Sequence, residues 1–147
     1  VPREPHTPPV SIPPAELARI KELYLAGKYR AAFDLGGGFG PLRGWAGPAA
    51  RLLAGRLAMQ LGDPRLGRRL HAVAFRESPA YPEAVYYMAR YRLERFGPLG
   101  CWRFLQAHTD WSEASPELRA DWFALHAFVA ARFRDFDRAE KYLVQSE

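Results

Sequence analysis

The chain has 147 residues, 48% of them hydrophobic and 25% charged, a balance that excludes wholesale disorder. Its formal charge is +5, and no apolar run nears the roughly 20 residues that a membrane-spanning helix needs. A single cysteine, Cys101, excludes an internal disulfide and any Cys-based zinc site, and fits a reducing compartment such as the cytoplasm.

Residues 1–13 read as a proline-rich arm or linker. Pro2, Pro5, Pro8, Pro9, Pro13 and Pro14 crowd the start, and proline lacks an amide donor and favours extended backbone. From residue 14 the pattern is helical, without strand alternation. Leu17, Ile20, Leu23 and Tyr24 predict a first helix near 14–26 and Gly27 ends it; a second helix follows near 28–36. Six glycines between Gly36 and Gly47 predict a flexible loop. Leu53, Leu57 and Leu61 mark a helix near 46–61, closed by Gly62. Asp63-Pro64 then reads as an N-cap with proline at the first helical position, opening a helix near 64–76. Val85, Met88, Tyr91 and Phe96 carry a helix near 81–96, closed by Gly97 and followed by one near 98–107. Ser115-Pro116 starts a helix near 116–133, where Leu118, Trp122, Leu125, Val129 and Phe133 recur on one face; a last helix runs near 135–146.

Gly27, Gly62 and Gly97 are spaced 35 and 35 residues apart. Aligned on them, the helices fall into four helix–turn–helix units, near 14–45, 46–80, 81–114 and 115–147. A single amphipathic pair cannot bury its apolar faces, whereas stacked pairs share a continuous core. The proline-rich start and the helical end without a stop signal predict a piece of a longer polypeptide.

This pattern resembles the tetratricopeptide repeat family, whose period is about 34 residues and whose units place small residues where two helices touch. The second unit fits best, with Gly55, the Gly62-Asp63 turn, Gly67, Ala74 and Pro79. The first offers Gly27-Lys28-Tyr29 and Ala32; the fourth offers Ala127, Asp135-Phe136 and Ala139. The third departs from the pattern with Arg90 and Trp102 where small residues belong. The resemblance covers about residues 14–147. It implies an all-α fold, a right-handed α-α superhelix of about four repeats, whose first helices line a concave groove. On that register the groove residues are Lys21, Tyr24, Arg56, Met59, Tyr87, Tyr91, Arg95, Phe128 and Arg132, with Leu17, Leu52, Gln60, Glu94 and Asp121 among their neighbours.

No catalytic constellation, metal site or cofactor site is expected. The glycine segment lacks the Gly-Lys-Ser/Thr of a phosphate loop, and no strand precedes it. Cys101 and His108 stand seven residues apart, roughly 10 Å along a helix, too far for a thiol–imidazole pair. His6, His71, His108 and His126 lack metal-ligand spacing and read as surface or packing residues. Asp135 and Asp137 sit at a helix start, where capping explains them.

Charge is distributed unevenly. Residues 43–103 hold eleven basic and four acidic residues; residues 104–147 hold five and eight. Eighteen Arg against three Lys matches the composition of a GC-rich, bacterial-like coding sequence. Tyr and Arg in the groove suit a protein or peptide partner with apolar anchors and acidic groups, in a scaffold or adaptor role. The absence of Asn disfavours the family's Lys/Arg-and-Asn carboxylate clamp. A basic groove for nucleic acid is the second reading, and a non-catalytic accessory domain of a larger enzyme the third.

Overall fold

The computed structural model describes residues 7–147, so the prolines and His6 within residues 1–6 lie outside it. The described fold is all-α, with seven helices: α1 (Pro14–Leu25), α2 (Tyr29–Gly37), α3 (Pro48–Gln60), α4 (Pro64–Glu77), α5 (Pro82–Ala107), α6 (Pro116–Arg132) and α7 (Phe136–Ser146). Among the described residues the extended backbone pairs at one isolated parallel bridge, Val10 with Trp45. The chain divides into two compact units, one ending at Pro79 and one spanning Ala80–Glu147. Among the described residues no helix is long and apolar enough to cross a membrane.

Three of the turns within helical pairs are built alike. After α1, Ala26 (φ −78°, ψ 1°) leads into Gly27 (φ 76°) and Lys28 (φ −87°, ψ 60°). After α3 the same sequence of conformations runs through Leu61, Gly62 (φ 93°) and Asp63; after α6 it runs through Phe133, Arg134 (φ 62°) and Asp135. Each closes with the same two hydrogen bonds of a Schellman motif. The Gly27 amide donates to the Tyr24 carbonyl and the Lys28 amide to that of Leu23. Gly62 and Asp63 donate to Met59 and Ala58, and Arg134 and Asp135 to Ala131 and Ala130. The residue that leaves the left-handed position then caps the next helix. The Asp63 carboxylate accepts from the Leu66 amide at 3.1 Å, and Asp135 accepts from Arg138 at 3.2 Å.

The third turn is tighter. Helix α5 is broken by one residue, Gly97 (φ 76°, ψ −172°), with Pro98 immediately after it. In a straight helix, Arg92 and Phe104 would lie about 18 Å apart along the axis. Instead the Arg92 guanidinium lies 5.6 Å from the Phe104 ring centroid, so the chain folds back at Gly97. The positive-φ residues at the turns within the helical pairs therefore stand at 27, 62, 97 and 134. Sequence alone supplies the first three, because a glycine marks them; the fourth is occupied by arginine.

In the first compact unit α1 buries Ile20, with Leu17, Leu23 and Tyr24 packed against the same core. Helix α3 is buried around most of its surface, from Ala50 to Ala58. Helix α4 presents Gly67, Leu70, His71 and Ala74, a helical stripe, to α3. The α3–α4 contact is nearly backbone to backbone. A Cβ placed on Gly67 would stand 2.8 Å from the Gly55 carbonyl oxygen, and one on Gly55 would stand 3.0 Å from that of Gly67 and against the His71 ring. Arg51 bridges to Glu77 at 3.0 Å across the pair.

The arm and the glycine segment differ from their sequence-based expectation of a linker and a flexible loop. Val10 and Ile12 are buried. The Val10 amide donates to the Gly44 carbonyl at 2.6 Å, and the Ala46 amide donates to the Val10 carbonyl at 3.0 Å. A 3₁₀ turn at Leu42–Gly44 sets Trp45 fully inside the core, its indole N–H donating to the Gly40 carbonyl at 3.1 Å. The reason is space. The Trp45 ring lies on Gly36, where a Cβ would collide with it, and Gly44 lets the Pro8 carbonyl approach to within 2.7 Å of a Cβ position. The glycines admit a tryptophan and the arm to the core.

In the second unit, Val85, Met88 and Ala89 of α5 are buried, as are Cys101, Phe104 and Leu105 after the break. Between α5 and α6, Trp111 folds inward and stacks on Trp122 of α6, ring centroids 3.8 Å apart. Ser115 caps α6 by accepting from the Leu118 amide. Ala127 and Ala139 are buried on α6 and α7, whereas Arg90 is exposed and Trp102 is 37% exposed. The third pair thus lacks close-packed small residues at those points.

Three substitutions test these packing arguments through stability. Open space surrounds Gly62, so Gly62→Ala should cost about 1 kcal/mol through backbone strain alone, while Arg134→Gly should raise stability by up to about 1 kcal/mol. Urea unfolding of both variants checks the opposite signs. Trp45→Ala should cost about 3–5 kcal/mol, with hydrogen exchange accelerating at the Val10 and Ala46 amides.

Candidate functional site

The residues expected to line a groove are described within each unit. In the first, Lys21 and Met59 are exposed, and Tyr24 and Arg56 are half-buried. The Arg56 guanidinium lies 4.5 Å from the centre of the Tyr24 ring, and the Tyr29 ring is tilted against Tyr24 at 5.2 Å. Tyr24 and Arg56 stand on α1 and α3, so the fold joins two consecutive first helices through one cation–π stack. Met59 is 38% exposed and would lie against a Cβ on Gly67, so it covers the close approach of α3 and α4. Leu52, expected at the groove, is fully buried and belongs to the core instead. It sits on a helix that packs on several sides, where a single-face register cannot apply.

In the second unit, Tyr87 and Tyr91 are half-buried, and Arg95, Phe128 and Arg132 are exposed. Tyr87 meets Tyr86 edge-on at 5.6 Å, and Arg95 lies 6.0 Å from the Phe96 ring centroid. Phe128 is 50% exposed on α6.

Two surface clefts flank the first helices of the first unit. One, about 460 Å³, is lined by Arg19, Glu22, Leu23, Ala26, Lys28 and Leu35. The other, about 360 Å³, runs from Arg30 and Phe33 to Leu61 and Leu66. A third, about 510 Å³, lies in the second unit at the Gly97 break, between Arg92, Phe96, Leu99, Gly100, Arg103 and Phe104. The sequence register missed this third cleft. Its signal was the spacing of Arg92 and Phe96, which extends the buried Val85–Met88–Ala89 stripe.

The titratable groups have structural surroundings. Cys101 is fully buried, and burial pushes its thiol up to about 11, which keeps it protonated at neutral pH. His108 does not face it: its Nδ1 lies 3.0 Å from the Phe104 carbonyl and its ring stacks on Phe104 at 4.3 Å. His126 packs edge-on to Trp122 at 5.1 Å and against Tyr142 at 4.6 Å. It borders a small cavity of about 40 Å³ shared with Trp102, Asp135, Arg138 and Tyr142, which has room for about one water molecule. Asp135 caps α7 and pairs with Arg138 at 3.6 Å. Among the described residues no group of His, Cys, Asp and Glu could hold a metal ion.

No protein-family model, curated protein or solved structure matches the chain.

Burial lowers the His126 pKa from 6.5 to about 4. The unfolded chain therefore gains a proton on this ring near pH 6.5 and the folded chain only near pH 4. The contribution from neutral His126 is fully present above pH 6.5 and is lost as pH falls toward 4. Unfolding midpoints measured across that window should fall more steeply for the parent than for His126→Phe, and the two should run parallel above pH 7.

Proposed function

We propose that the chain is a non-enzymatic protein-interaction module, a scaffold or adaptor built from four tetratricopeptide-like repeats of a right-handed superhelix. It takes a peptide segment, or another domain, against its first helices. Lys21, Tyr24, Arg56 and Met59 serve this role in the first unit, and Tyr87, Tyr91, Arg95, Phe128 and Arg132 in the second. The observation that carries the reading is the Tyr24–Arg56 stack, because it pre-orders an aromatic face and a guanidinium on consecutive first helices. A side chain ordered before binding loses less freedom on binding, and Tyr and Arg are the types that dominate interface energetics. The recurrence of one turn conformation at 27, 62 and 134 supports the repeat architecture. The expected ligand carries apolar anchors for the Tyr faces and carboxylates for the arginines.

Nucleic acid is the second reading, favoured by the excess of Arg in residues 43–103 and by their stacking on aromatic rings.

A peptide array of acidic, aromatic-containing segments should yield binders. Their affinity should drop about tenfold in Tyr24→Ala/Arg56→Ala and in Tyr87→Ala/Tyr91→Ala at unchanged helicity. An array without binders, or binders indifferent to both double variants, overturns the reading. Single-stranded RNA that bound more tightly than any peptide, with steep weakening in salt, would favour the second reading.

A further inference from the structure

Along the part of α5 before Gly97, Val85, Met88 and Ala89 face the core. Arg92 and Phe96 continue that stripe at helical spacing, yet Phe96 is 59% exposed. After the break, Leu99 is 48% exposed, and Arg103 follows one helical turn later. Folding back at Gly97 brings these residues around the 510 Å³ cleft, which lies wholly within the second compact unit. Gly100 lines it and lets the two arms of α5 meet closely: a Cβ there would stand 2.7 Å from that of Phe96. The Arg92 guanidinium rests 5.7 Å and 5.6 Å from the Phe96 and Phe104 ring centroids. Among the described residues, no carboxylate forms an ion pair with Arg92 or Arg103.

We propose that this cleft docks an acidic amphipathic segment of another protein, with an apolar side chain between Phe96 and Leu99 and carboxylates on Arg92 and Arg103. Charge selects this occupant. A guanidinium lying on aromatic faces keeps its N–H edge free for a planar acceptor, and the carboxylate fork matches it. A purely apolar partner would cover both arginines without pairing them, a strong penalty. The apolar share of the lining makes a bare acidic chain a poor fit too, since Phe96 and Leu99 would stay in water. The cleft is distinct from the Tyr24–Arg56 face of the first unit, whereas Arg95, proposed above for the second unit, lies 6.0 Å from the Phe96 ring at its rim.

The test uses the full chain and a fluorescein-labelled helical peptide carrying Leu and Phe one turn apart, flanked by Glu. A control peptide replaces each Glu with Gln. By fluorescence anisotropy the Glu peptide should bind at least about tenfold tighter than the control, and should weaken as salt rises. Arg103→Glu and Leu99→Ser change exposed positions, so the fold should survive them; each should reduce binding about tenfold, and Phe96→Ala likewise. Tyr24→Ala/Arg56→Ala should leave this binding unchanged, which separates the cleft from the Tyr24–Arg56 face of the first unit. Equal binding of the two peptides, or full binding by Arg103→Glu, overturns the proposal. So does loss of binding in Tyr24→Ala/Arg56→Ala with the cleft variants unaffected. Concentration-dependent self-association abolished by Phe96→Ala would assign the cleft to a second copy of the chain instead.

Discussion

The structure depends on reversing a helix within three residues without leaving its terminal carbonyls unsatisfied. One left-handed residue does this, flanked by a residue near ψ 0° and one near ψ 70°. The left-handed step aims two amides back at the last turn of the preceding helix, and the residue after it starts the next helix. Reversal and initiation are therefore one local event. Where Asp follows the left-handed residue, its carboxylate also satisfies an amide of the new helix. Each hairpin then presents two apolar stripes on one side, and the core of each unit forms between them.

Glycine has a second use in this chain, unrelated to turn conformation. Gly55 and Gly67 let two helices approach closely, with the His71 ring and the Met59 side chain seated on the positions where their own side chains would stand. Gly36 and Gly44 do the same for a tryptophan ring and an extended strand segment. The first unit thus combines a large ring with absent side chains. Trp45 fills the volume that the glycines open, and its single polar atom finds the Gly40 carbonyl nearby. A polar N–H buried without that acceptor would oppose the gain from burying the ring.

Local pattern made the helices legible. Pro14, Pro64, Pro82 and Pro116 open helices at the first turn, and Gly27, Gly62 and Gly97 close them, because these residues act on their own backbone and need no distant partner. Arg134 was not legible: a left-handed arginine carries no compositional mark, and only the hydrogen bonds around it reveal the turn. The pairing of the arm with the glycine segment was equally hidden. Prolines and glycines each look unstructured alone, and the order arises from their meeting some 35 residues apart, Val10 against Trp45. Among the candidate site residues, Tyr24 and Arg56 could be placed on one surface by register, but their stacking required the packing of α1 beside α3. Leu52 was assigned to a surface because a helix was assumed to have one buried face, and α3 has several. The fold-back at Gly97 was legible from the glycine period, but the cleft beside it also needed the meeting of Arg92 with Phe104 across the break.

That fold-back concentrates what the other turns share among three residues into one. The φ and ψ of Gly97 lie in a region that is essentially closed to any residue with a side chain. The two arms of α5 are joined as a door is hung on a single pin, so neither neighbour can take up slack. The orientation of everything from Leu99 to Ala107, including the buried Cys101 and Leu105, is inherited from two torsion angles. Position 97 therefore admits one amino acid where 27, 62 and 134 admit compromise. In any search for sequences of the same architecture, a glycine–proline step at this point is a stricter diagnostic than the spacing of the glycines themselves.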